Sequence, residues 1–83
     1  MTSEQILCVD DDEIILYSFK RDLGNHFPVV TASSGECALE LIRSKGPFGV
    51  IIADMLMPGM NGVEVLAQAQ RLAPDSVHHA DGR

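Results

Sequence analysis

The stretch FGVIIAD, residues 48–54, carries no charge until its last position. A strand that is apolar at nearly every position has to be buried on both faces. That happens in a parallel sheet covered by helices on either side, and not at an amphipathic edge. The rest of the chain must therefore supply parallel neighbours for this strand and helices that cross over between them. The run closes on Asp54, and a Met-Leu-Met-Pro-Gly turn follows it where a salt-bridge partner would otherwise stand.

The flanking sequence meets both demands. QILCV, residues 5–9, is a short apolar run suited to a strand, and Asp10, Asp11 and Asp12 follow where a helix should begin. Ile15, Leu16, Phe19 and Leu23 then recur at helical spacing, with Gly24 as the stop. Pro28 opens a second strand, PVVTA, after which Ser33 or Ser34 caps a helix with Ala38, Leu41 and Ile42 on one face. That helix stops at Lys45-Gly46-Pro47. Asn61 caps a last helix with Val65, Leu66, Ala69 and Leu72, and Ala73-Pro74 ends it. The order β-α-β-α-β-α with right-handed crossovers gives an α/β fold with a parallel three-stranded sheet. The remainder, PDSVHHADGR, reads as a tail: DSV offers the start of a fourth strand, but nothing after it continues one.

At 83 residues the chain holds one small domain, with residues 1–75 forming its body and 76–83 a tail of unknown structure. Its formal charge of −6 and pI near 4.7 argue against direct contact with nucleic acid or an anionic membrane. No apolar run is long enough to span a bilayer and the start lacks a signal peptide's pattern, so the expected location is the cytoplasm. Cys8 and Cys37, with no CxxC spacing, read as reduced, packed thiols. Met55, Met57 and Met60 read as gap-fillers around a turn, His26 as a surface residue at a helix end, and His78 and His79 as tail residues without a spaced partner.

The chemistry lies in the aspartates. In open α/β sheets ligands gather at the carboxyl ends of the strands, where Asp10 and Asp11 follow strand one and Asp54 closes strand three. If those strands are neighbours, three carboxylates meet in one shallow pocket and repel one another unless a cation joins them. A hard divalent ion that retains several waters, Mg²⁺, suits such a partial cage. A carboxylate beside bound Mg²⁺ attacks a phosphoryl group, as in aspartyl-phosphate enzymes, which makes Asp54 the nucleophile and the acidic pair the ion's ligands. Taken alone, the triple aspartate also suits an N-terminal capping run favoured by the helix dipole.

The blocks ILCVDDDE, TASSGECALELI and GVIIADMLMPGMNGVEVL together resemble the receiver domain of two-component response regulators, over residues 5 to about 77 in unbroken order. The resemblance implies a flavodoxin-like fold, strand order 2-1-3 here, and a role in phosphorelay signalling. It implies that Asp54 is the phosphoryl acceptor, that Asp10, Asp11 and Asp54 hold Mg²⁺ with Asp11 the more direct ligand of the acidic pair, and that the backbone carbonyl of Leu56 completes the set. Pro58 and Gly62 match the turn after the acceptor, while Asn61 stands where the family commonly has an aspartate.

Departures from the family follow. Receivers place a Ser or Thr at the end of strand four and a Lys at the end of strand five. After Asp54 this chain has no lysine and no threonine, and Ser76 lies at the start of the would-be fourth strand. The chain resembles a receiver cut short after its third helix, with strand three left as an edge whose apolar faces are poorly covered. The expected consequence is a homodimer that completes the sheet. The expected function is a phosphorelay receiver that binds Mg²⁺ and accepts a phosphoryl group on Asp54 from a histidine kinase or phosphotransfer protein. Switching is expected to be impaired, with no independent enzymatic activity. The alternative is a non-phosphorylated dimerisation or interaction module derived from a receiver.

Overall fold

The computed structural model describes residues 4–54, 59 and 61–81. Its elements run β1 (Ile6–Val9), α1 (Glu13–Leu23), β2 (Val29–Ala32), α2 (Gly35–Lys45), β3 (Val50–Asp54), α3 (Gly62–Leu72) and β4 (Val77–Asp81). All pairings are parallel, and the strand order is β2-β1-β3-β4. This is the flavodoxin-like arrangement, with the expected 2-1-3 order extended by one strand.

That extra strand corrects the expectation of a three-stranded sheet with an unstructured tail. β4 continues the turn after α3 and pairs with the whole of β3, so β3 is interior and β4 is the edge. The pairing starts from two bonds: Ser76 donates its hydroxyl to the Phe48 carbonyl, and the Val77 N–H donates to Gly49 O at 2.9 Å. At the start of this strand backbone bonding outweighs side-chain burial, since Val77 is 63% exposed.

Alternation along the interior strands builds two cores. Leu7, Val9, Ile51 and Ala53 face α2 and α3, where they meet Ala38, Leu39, Ile42, Phe48, Val65 and Ala69. Ile6 and Cys8 face the other way and meet Leu16, with Phe19, Leu23, Val29, Val50 and Ile52 packed at the margin. Among the described residues α1 is the helix on that second face, and it lies against β1 and β2. On the half of that face formed by β3 and β4, Val50 and Ile52 are half-buried and Val77 is exposed. Leu72, expected inside, is instead 42% exposed at the end of α3.

Each helix starts on a side-chain cap that satisfies an otherwise orphaned N–H. Asp12 accepts from Ile14 N at 2.9 Å, Ser34 from Cys37 N at 3.1 Å, and Asn61 from Glu64 N at 2.9 Å. Because α2 and α3 begin directly after the loops that follow β2 and β3, these caps hold the helix N-termini at the carboxyl edge of the sheet. That is the edge at which Asp10 follows β1 and Asp54 ends β3.

Candidate functional site

β1 and β3 are direct neighbours, paired Val9 to Ala53, so the residues that follow each strand arrive side by side. Asp10 extends the β1 ladder by donating its N–H to Ala32 O at 3.0 Å, and its Oδ1 accepts the Asp12 N–H at 2.9 Å. That second bond turns the chain sharply out of the strand and into the cap of α1. Asp54 is the last residue of β3. Ligand atoms of Asp10, Asp11 and Asp54 lie within 4.8 Å of one another.

Burial divides the three. Asp10 and Asp54 are 1% and 2% exposed, while Asp11 stands at the solvent side. Two buried carboxylates this near a third repel, and a bound cation removes that repulsion. The donor set is all carboxylate oxygen, which suits a hard divalent ion and offers nothing to a soft metal. Asp12 is turned to capping, so the triple aspartate serves both purposes weighed for it: two residues in the cluster and one on the helix.

Leu56, expected to offer a carbonyl to the ion, lies outside the described residues, as do Met55, Met57, Pro58 and Met60. Gly59 within that loop has φ of 78°, a conformation that favours glycine and fits the turn expected after Asp54. His78 and His79 form no metal pair. As consecutive strand residues they leave opposite faces, His78 in register with Ile51 and His79 with Ile52. The His78 Nε2 is buried without a hydrogen-bond partner. Both cysteines are free; Cys37 is exposed rather than packed, and burial pushes the Cys8 thiol up to about 11. A concavity of about 640 Å³ lies at the opposite, amino edge of β3 and β4, lined by Ile42, Phe48, Leu72 and Asp75 among others, away from the carboxylates.

The fourth strand at this edge is what the sequence reading does not supply. β4 brings Asp81 to the carboxyl edge, where it is the Cα partner of Asp54. The DSV run was the available signal, and it was set aside because the residues after it are polar.

Comparison with known proteins agrees with this geometry. The family model described as "Response regulator receiver domain" matches residues 6–78. The response regulator MprA of Mycolicibacterium vanbaalenii is 39% identical over 72 residues, which are 86% of this chain and 31% of that protein. The chain thus spans about a third of the length of that relative. A solved structure described as adenylate cyclase from Rhodopirellula baltica superposes with a TM-score of 0.91 at 46% identity, over 94% of this chain and 58% of that one. The response regulator TrrA of Thermotoga maritima, in complex with Mg(2+)-BeF, superposes with a TM-score of 0.81 at 33% identity, over 94% of this chain and 66% of that one.

Proposed function

The chain belongs to the response regulator receiver family, and from that premise we propose that it is a phosphorelay receiver that binds Mg²⁺ and accepts a phosphoryl group on Asp54. The observation that carries this reading is the convergence of Asp10, Asp11 and Asp54 to within 4.8 Å. Asp10, Asp11 and Asp54 would hold the ion, with the Leu56 carbonyl as a further ligand. When bound, Mg²⁺ neutralises charge on the transferred oxygens. Asp54 supplies the nucleophile: one carboxylate oxygen bonds to phosphorus as the bond to the donor breaks, and the donor keeps the electron pair. With a histidine kinase or phosphotransfer protein as donor, the bond that breaks is the P–N bond of phosphohistidine. Asp10, tied to the Asp12 N–H, keeps its carboxylate at the pocket floor during transfer.

Incubation with acetyl phosphate and Mg²⁺ tests the reading. A phosphoryl mass increment that is lost in Asp54→Asn supports it, and no increment in the wild type sinks it.

A second reading is a homodimeric interaction module. It is favoured by the half-buried Val50 and Ile52 and the exposed Val77, and by the place of β4 at the edge of the sheet among the described residues. Sedimentation equilibrium separates the two readings: a concentration-independent monomer that accepts phosphate leaves only the first.

A further inference from the structure

Two loops and two helix ends enclose a hollow that the carboxylate chemistry does not use. At the amino edge of the sheet α2 stops at Gly46-Pro47 and α3 at Ala73-Pro74, and these residues line the concavity of about 640 Å³. Small-molecule sites have volumes of roughly 300–1,000 Å³, so the hollow is of the right size for one. Its walls are preset. Each loop carries a proline, whose ring fixes φ, and the Ser76 hydroxyl donates to the Phe48 carbonyl, joining one loop to the other.

The lining supplies apolar surface and charge of one sign. Ile42, Phe48 and Leu72 are its large apolar residues. Leu72 is the side chain expected in the core that is instead 42% exposed, and an apolar guest would withdraw it from water. Asp75 is the one charged residue among the described residues that line the hollow. The last turns of α2 and α3 also end here, and the carbonyl end of a helix carries partial negative charge. Arg43, Lys45 and Arg71 stand in those turns without lining the hollow, and Arg43 is paired with Glu40 at 3.8 Å.

We propose that this hollow is a binding site for a small organic cation: an apolar or aromatic body against Ile42, Phe48 and Leu72, with an ammonium group held by Asp75 and the carbonyl ends of α2 and α3. The site lies at the opposite edge of the sheet from Asp54 and does not depend on the reading of the carboxylate pocket. Most of the affinity comes from the apolar body, because an ion pair at an exposed carboxylate such as Asp75 adds only about 2- to 5-fold.

The test titrates the isotope-labelled full chain with three indoles of similar shape and different charge: tryptamine, tryptophol and indolepropionate. Dissociation constants are read from the amide signals of Phe48, Gly49, Ala73, Asp75 and Ser76. Tryptamine should shift these signals and bind about 2- to 5-fold more tightly than tryptophol, with indolepropionate the weakest. Asp75→Asn should abolish the preference for the cation and keep the affinity for tryptophol. Leu72→Ala should weaken all three by about 3-fold. If Asp75→Asn disturbs the turn into β4, salt dependence of the wild type gives the same reading, since screening weakens tryptamine and spares tryptophol. Equal affinity for the three indoles, a preference for indolepropionate, or a cation preference that survives in folded Asp75→Asn overturns the proposal. So do tryptamine shifts confined to Asp10, Asp11 and Asp54, or shifts of the hollow's own amides with protein concentration alone, which would make a second copy the occupant.

Discussion

Ser76 and Phe48 join the start of β4 to the start of β3: the serine hydroxyl donates to the phenylalanine carbonyl, just before the Val77 N–H takes up Gly49 O at 2.9 Å. Replacing Ser76 by alanine leaves that carbonyl without its side-chain donor and should cost about 1 kcal/mol of stability. Because β4 stands at the edge of the sheet, the loss should appear locally. Amide exchange across residues 77–81 should accelerate more than across β1, and uniform acceleration would show that β4 is no separate unit.

His78 gives the converse case. Its Nε2 is buried without a partner on the face of the sheet where Ile51 is fully enclosed. Exchanging the ring for an apolar side chain removes an unsatisfied polar atom, so His78→Leu should raise stability by about 1 kcal/mol in urea unfolding. His79→Leu, on the opposite and more open face, should stay within about 0.5 kcal/mol. Equal effects would contradict the assignment of the two faces.

Mg²⁺ should stabilise the wild-type chain against heat by mass action, about 1.4 kcal/mol at ten times its dissociation constant. Asp54→Asn should lose that increment, because it removes one of three carboxylates whose ligand atoms lie within 4.8 Å. A full Mg²⁺-dependent shift in the variant would place the ion elsewhere.

Cys8 fixes a pH dependence. Burial raises its thiol from 9.0 to about 11, so the folded chain keeps a proton that the unfolded chain has released. Its contribution to stability is whole below pH 9 and falls as pH rises through about 11. The urea midpoint should therefore drop across that window, and Cys8→Ala should drop less. At pH 8 iodoacetamide should label the exposed Cys37 and spare Cys8.

Three strand-helix units were legible because each carried two independent signals, an apolar period and a capping residue. Asp12, Ser34 and Asn61 cap where a helix was expected to begin. The pocket was legible for the same reason: parallel strands must end on one edge, so Asp10, Asp11 and Asp54 had to converge once β1 and β3 were neighbours. β4 escaped because its sequence, VHHAD, carries no apolar period. A strand held by backbone bonds to an interior neighbour needs none, and with β4 went the position of Asp81 beside Asp54.

The all-parallel order has a consequence in time. Ile6 finds Val29, and later Val50, while Val50 in turn finds Val77, so every strand contact spans a whole helix in between. No hairpin can seed the sheet, and each closure orders more than twenty residues before it is repaid by a ladder. During synthesis β1 stays half-partnered until β3 is made, and β4 can pair with β3 only after that. The carboxylate pocket therefore closes only after Asp54 arrives, a whole α-β-α-β stretch after Asp10 and Asp11 have been made.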